Sequence, residues 1–427
     1  KTSWDSQRHR ISLRLWAASA AMRRPYPHPG ITVVRSPPES APETSKTPVS
    51  RWCRAFRRRN PRHRLLWGLS AAALVVVLVV GLWWWGSGVS GSFRASAAIG
   101  EGDHLARSTV PRLRGVTDGP DTFHFYLITD LDKESHVEGE ERYQAWLQEG
   151  TLRRRPDGSF EVHFGQLEPL VTSLNERGRG FELSELVQYD GKLFTADDRS
   201  GIIFELLRVQ DKWQAIPRAL AMEGSGVTTK GLKIEWGTVK DGILWWGSIG
   251  KEFLRPGQTL EEADKSLLWV ATMDQHLSVH HLNWAHFYQR LREATGTTHP
   301  GYLVHEAVCW SDVHQKWVFL PRRLSFEAYD EVLDETRGSD VMIMASEFFE
   351  DIESRHVGPA VVSTHGFSSF KFLPNSQDRV IVAVKSEENS ALGTQSSYLT
   401  VFQIDGKVLM EEVRIPHAFK FEGVEFF

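Results

Sequence analysis

Five stretches of this chain repeat one grammar, and few folds can carry it. In each, an apolar strand opens with a Glu or Ser near its start. Phe181–Arg199, FELSELVQYDGKLFTADDR, has Ser184 ahead of an Asp190-Gly191 turn and a second strand that runs out at Asp197-Asp198-Arg199. KIEWGTVKDGILWWGS carries Glu235, HEAVCWSDVHQKWVFLPRR carries Glu306, GFSSFKFLPNSQDRVIVAVKSEE carries Ser368, and KFEGVEFF carries Glu422. Turn residues of this kind between apolar runs predict hairpins. The five marked positions are 51, 71, 62 and 54 residues apart. Irregular periods of that size predict radial repeats with variable loops, the four-stranded blades of a propeller.

Strands such as Val380–Val384 and Ile243–Trp246 are apolar at every position, as strands buried between stacked blades must be. The expected fold is therefore all-β, a five-bladed β-propeller over residues 118–427. At about 62 residues a blade, it exceeds the usual repeat of about 40 to 50. A β-sandwich is the alternative, but it does not account for the recurring oxygen-bearing position. One helix is expected over Trp284–Glu293, where Trp284, Phe287, Tyr288 and Leu291 share a face.

The net charge of −4 hides a division. Residues 1–65 hold fifteen Lys and Arg against three Asp and Glu, or +12, so the rest carries −16. An acidic body argues against nucleic acid as partner and is compatible with a bound cation. Residues 1–64 read as a disordered basic tail. Leu65–Trp85, LLWGLSAAALVVVLVVGLWWW, is uncharged for 21 residues, long enough for a transmembrane helix. The Arg cluster before it orients the tail to the cytoplasm, so a single-pass type II protein of the Golgi or ER membrane is expected. Residues 86–117 form its luminal stem. Ala95-Ser96-Ala97 resembles a cleavage site and leaves a clipped secreted form open. The only cysteines, Cys53 and Cys309, would lie on opposite sides of the membrane, so neither a disulfide nor a zinc site is expected.

Two constellations can carry chemistry. In a propeller the innermost strands line the central channel, so Ser184, Glu235, Glu306, Ser368 and Glu422 would converge on the axis. Oxygen ligands without His or Cys favour Ca²⁺; unrelated polar residues at strand ends would show the same pattern. The second set lies where strands run out: Asp130 and Asp132, then Asp197, Asp198 and Arg199, then Lys251, Arg322, Arg323 and Lys385. Cations beside carboxylates suit a phosphorylated ligand, with an Asp to orient or deprotonate an attacking water. His305 and His365 precede ring positions and could either touch substrate or serve the structure.

ITDLDKES, GRGFELSELVQYDGKLFTADDRSG, KGLKIEW, GYLVHEAVCWSD, FLPRR, STHGFSSFKFLPN, VKSEE and KFEGVEFF together resemble the calcium-activated nucleotidases, the family that includes the apyrases of blood-feeding arthropods. The resemblance covers residues 120–427, and the tail and span resemble its vertebrate membrane-bound type. It implies a propeller with Ca²⁺ on its axis that hydrolyses nucleoside diphosphates, and triphosphates less well, to monophosphate and phosphate. UDP and GDP are the expected substrates, and support of glycosylation and proteoglycan synthesis the expected role. It also implies metal positions at Ser184, Glu235, Glu306, Ser368 and Glu422, acidic active-site positions at Asp130 and Asp198, and phosphate-binding arginines at Arg322 and Arg323. Asp132, Asp197, Arg199, Lys251 and Lys385 are added as substrate contacts from the strand-end reading. Ser248 departs from the Gly-Gly pair usual in the family. A propeller with an exposed face can also pair as a homodimer, and the alternative function is a non-catalytic propeller, calcium-stabilised, that binds glycans or proteins.

Overall fold

The computed structural model describes residues 119–255, 257–359 and 361–427. Their strands form five four-stranded antiparallel sheets. The chain lays down β1 (Thr122–Asp130), β2 (Tyr143–Arg154) and β3 (Phe160–Thr172) first. Four complete blades follow: β4 (Leu183–Tyr189), β5 (Lys192–Asp197), β6 (Ile202–Val209) and β7 (Lys212–Leu220); β8 (Trp236–Lys240), β9 (Ile243–Gly247), β10 (Trp269–Met273) and β11 (Val279–Asn283); β12 (Tyr302–Ser311), β13 (Lys316–Ser325), β14 (Val341–Ser346) and β15 (Ile352–His356); β16 (Gly366–Phe372), β17 (Val380–Asn389), β18 (Thr394–Gln403) and β19 (Val408–Arg414). β20 (Lys420–Phe426) then returns to β1 and completes the first blade, with Phe125 opposite Phe426. β4, β8, β12, β16 and β20 contact one another in a closed cycle. This is the expected five-bladed propeller, and the cycle excludes a two-layer sandwich.

Local chemistry explains the hairpins. Asp190 and Gly191 have φ of +50° and +72°, and Asp241 and Gly242 have +52° and +70°, the paired left-handed residues of a type I′ turn that matches strand twist. The apolar strand faces bury between blades. Trp317 meets Trp284 edge-on at 4.9 Å, and Trp236 lies 5.7 Å from Trp284. α1 (Ala285–Thr295) packs Tyr288 and Leu291 into that cluster and ends at Gly296, whose φ of +74° supplies the left-handed cap. The expected helix is present, displaced by a residue or two. Cys309 is buried and donates to the Phe370 carbonyl at 3.1 Å, as a small core residue rather than a nucleophile. The tail at 1–64, the span at 65–85 and the stem at 86–117 lie outside the described residues. Among the described residues no helix is long and apolar enough to cross a membrane.

The cyclic strands are bulged where the sequence marks them. Ser184 and Glu185 together oppose Ala196, since Leu183 pairs Asp197 and Leu186 pairs Thr195. Glu306, Ser368 and Glu422 are each skipped in their ladders. Glu235 donates its N–H to the Gly247 carbonyl, although Gly247 already faces Trp236. A bulge adds a residue to one strand and re-aims its side chain. Placed once per blade, it turns one side chain of each inner strand.

A second polar layer crosses the channel. Glu185 of β4 accepts from the Ser369 hydroxyl of β16 at 2.8 Å and lies 3.1 Å from the Lys371 ammonium. Glu425 of β20 accepts the Gln188 N–H at 2.9 Å. These strands meet closely because β20 has Gly423, where a Cβ would lie 2.7 Å from the Glu185 carbonyl carbon and the Leu186 nitrogen.

Candidate active site

At one mouth of the channel is a cavity of about 300 Å³. Three of the five marked residues line it: Glu235, Glu306 and Glu422. Around them stand Asp130, Asp132 and Asp198 from the strand ends, with Lys251, Arg322 and Arg323. Ser184 and Ser368 are buried in the same strands, but their hydroxyls turn to backbone, toward the carbonyls of Glu182 at 3.5 Å and Phe421 at 3.1 Å. Neither lines the cavity.

Arg322 is the hub. Its Nη1 donates to Glu306 and, at 2.8 Å, to Glu422, while Nη2 donates to Glu388 at 2.6 Å. It is skipped in the β12–β13 ladder just as Glu306 is, so the two opposed bulges meet. Gly366 makes room for it, because a Cβ there would stand 2.4 Å from Arg322 Cγ. Lys233 reaches Asp198 at 2.5 Å and also Glu235. Lys420 reaches Asp130 at 2.6 Å and Asp132 at 2.9 Å.

Ten carboxylic residues and five basic ones line the cavity, so its walls favour a cation. Burial raises the pKa of Glu235 above the usual carboxylate range; Lys233 opposes the shift, and Glu306 and Asp198 add to it. Glu422 is raised in the same way, by burial first, against Lys420 and with Glu306. Two buried carboxylates whose ionisation is disfavoured, in part by the Glu306 charge, are a place where a positive ion is stabilising. Asp198 adds a second sign: its Oδ1 is buried and without a hydrogen-bond partner. The donors are all oxygen, the set that a hard cation such as Ca²⁺ takes, so the residues present fit that ion. A second acidic group, Asp130, Asp132 and Glu182, brings carboxylate oxygens within 4.8 Å of one another. Arg179 holds Glu182 at 2.8 and 2.5 Å and Lys420 reaches Asp130 and Asp132, as Lys233 and Arg322 in turn pair with the three glutamates.

Several expected contacts lie elsewhere. Asp197 shapes its own turn, accepting from the Glu182 and Arg199 N–H groups and from the Ser200 hydroxyl. Arg199 pairs with Glu176 at 3.6 Å. Lys385 donates to Glu412 at 2.8 Å beneath the Phe367 ring. His365 bonds Glu412 at 2.5 Å and stacks on Tyr398, while His305 is buried against Tyr288 and Phe319. None of these lines the cavity, and their surroundings are those of structural residues.

Conversely, Lys233, Lys420, Phe253, Tyr329 and Asp334 line it without having been expected. Two of them carry a legible signal. Lys233 and Lys420 each stand two residues before a marked Glu, and strand alternation puts such a pair on one side. Tyr329 and Asp334 belong to the loop around α2 (Glu331–Asp334), where nothing periodic points inward.

The family model for apyrase matches residues 131–427. The chain belongs to the apyrase family. Among characterised relatives, it is 41% identical to soluble calcium-activated nucleotidase 1 of Rattus norvegicus, over 73% of this chain and 75% of that protein. Apyrase apy-1 of Caenorhabditis elegans is 37% identical, over 76% of this chain and 90% of that protein. The apyrase of Cimex lectularius is 43% identical, over 71% and 82%. The family match takes in β2 to β20 of the propeller.

Proposed function

We propose that this apyrase is a calcium-dependent nucleoside-diphosphate phosphohydrolase that releases phosphate and monophosphate, with UDP and GDP its preferred substrates. One observation carries the reading: Asp198, with one oxygen on Lys233 and the other unpartnered, shares a cavity with the three converging glutamates. Family membership and the names of the relatives support it.

Glu235, Glu306 and Glu422 would hold Ca²⁺, which when bound supplies charge neutralisation for phosphate oxygens. The chain's own residues do the rest. Arg322, fixed by three carboxylates, presents a pre-oriented guanidinium to the terminal phosphate. Arg323, with a buried and unpartnered Nη1, and Lys251 take the remaining anionic oxygens. Asp198 accepts a proton from the attacking water through its unpartnered oxygen. Asp130 is less suited to that step: Oδ2 is on Lys420 and Oδ1 accepts the Asp132 N–H at 2.7 Å. Its role is to position Lys420.

In this reading the protein is a type II protein of the Golgi or ER membrane whose luminal body would clear diphosphates left by glycosyl transfer; the uncharged run Leu65–Trp85 supports that part. Phosphate release from UDP, GDP and ADP, with Ca²⁺ and with chelator, tests the activity. UDP and GDP should turn over faster than ADP, and chelation should stop all three. Calcium-independent turnover, or full activity in Asp198→Asn, would overturn the assignment.

A further inference from the structure

The cavity is graded from its floor to its rim. The floor is charged and buried, with Asp130 2% and Arg322 4% exposed. The rim carries two large aromatic side chains that stay about half exposed, Phe253 at 53% and Tyr329 at 46%, with one face of each turned to Lys251. Between the two levels stands the Lys251 ammonium, 4.0 Å from the Tyr329 ring centre and 5.1 Å from that of Phe253.

Neither ring is buried, and each is anchored in its own way. Phe253 exchanges both backbone hydrogen bonds with Asp264, at 2.9 Å each. Tyr329 packs edge-on against Tyr302 at 5.5 Å and immediately precedes Asp330, whose side chain caps α2 by accepting from Val332 and Leu333 N–H. Asp334 at the far end of α2 accepts from the Tyr302 hydroxyl and faces Arg323 at 3.6 Å. The loop that presents Tyr329 is thus tied to the phosphate-facing wall.

We infer that Phe253 and Tyr329 form the platform on which the nucleobase of the substrate stacks, with Lys251 and Arg323 beneath it at the inner phosphate. This deepens the proposed function and rests on it for the identity of the substrate. An exposed aromatic face loses water on stacking and gains a π contact that any base supplies. The order from rim to axis, aromatic rings, then cations, then carboxylates, is the order of base, inner phosphate and terminal phosphate in a nucleoside diphosphate.

The test is equilibrium binding to the full chain in calcium buffer, by calorimetry, which needs no turnover. The probes are α,β-methylene-UDP and methylenebisphosphonate, which keeps two phosphorus centres but has no nucleoside. In Phe253→Ala/Tyr329→Ala, affinity for the nucleotide analogue should fall about tenfold, affinity for the bisphosphonate should stay within twofold, and Phe253→Tyr/Tyr329→Phe should restore the nucleotide. Both rings are half exposed, so the fold should survive, as an unchanged melting curve would verify. Equal loss for both probes, or unchanged affinity for the nucleotide, or no binding of it to the wild type, overturns the platform. If the analogue binds as expected but UDP is not hydrolysed, the platform stands and the enzymatic reading falls.

Discussion

The channel of this propeller holds two polar layers, one drawn from the inner strands all round and one from β4, β16 and β20 alone, and they solve opposite problems. The lower layer, Glu185, Ser369, Lys371 and Glu425, sets a lysine against two glutamates, with Glu185, Ser369 and Lys371 buried, although Glu185 Oε2 and Lys371 Nζ lack hydrogen-bond partners. Burial pushes Glu185 up to about 7, against the opposing charge of Lys371, and its Oε1 takes the Ser369 hydroxyl and faces the Lys371 ammonium of β16. The upper layer, at the bulges, is left with an excess of carboxylates, an unpartnered Asp198 oxygen and an opening to solvent. One layer uses charge to hold strands together; the other keeps it available. The lesson is that buried charge on a propeller axis does not by itself mark a site. What marks it is an excess of one sign, ten carboxylic residues to five basic ones, around a cavity that opens to solvent.

The comparison can be broken most sharply at Arg322. Arg322→Met should lower kcat/KM by about a thousandfold and should leave Glu306, Glu388 and Glu422 without their shared partner. Thermal melting with and without Ca²⁺ should then show a fall in stability that calcium largely repairs. The matching change below is Lys371→Met. It should cost about 3 kcal/mol of stability by leaving Glu185 buried and unpaired, read by denaturant titration, with kcat unchanged. Adding Glu185→Leu should recover most of the loss.

Chelation should destabilise the wild type by about 3 kcal/mol relative to Ca²⁺ at a hundred times its Kd. The same shift should persist in Lys371→Met and vanish in Glu235→Gln/Glu306→Gln. The smallest effect is expected outside the channel. Burial would raise Glu412, but the His365 hydrogen bond and the Lys385 charge outweigh it and hold it at about 2. A carboxylate held low stabilises the fold above its unfolded value near 4.5 and loses that contribution as pH falls towards 2. Glu412→Gln should therefore flatten acid melting in that window by about 1 kcal/mol, without changing KM.

The fold was legible because its signals are local. Asp190-Gly191 and Asp241-Gly242 demand the turns they make, and uniformly apolar runs such as Val380–Val384 demand burial on both faces. Residues around the axis were legible where a long side chain follows the bulge inward, as at Glu235, Glu306 and Glu422. Ser184 and Ser368 also stand at the bulges of inner strands, but their short hydroxyls turn to backbone carbonyls. Asp197 and Asp198 show the limit: adjacent acids alternate sides of a strand, and nothing in their order says which one caps its own turn. Lys233 and Lys420 could have been found from their spacing to Glu235 and Glu422. Phe253 and Tyr329 could not, since they sit in loops whose course depends on bonds to Asp264 and Tyr302.

The return of β20 to β1 sets a clock on the active site. Glu422 and Lys420 belong to a strand that pairs with residues some 290 positions earlier, and a ribosome adding about 5 to 20 residues a second needs roughly 15 to 60 seconds to cover that interval. Throughout it, β1 offers an unpaired edge, and the converging glutamates never number more than two of three. Catalytic competence therefore arrives late and all at once, after four blades are complete, and a growing chain caught before that moment has most of a propeller but no site.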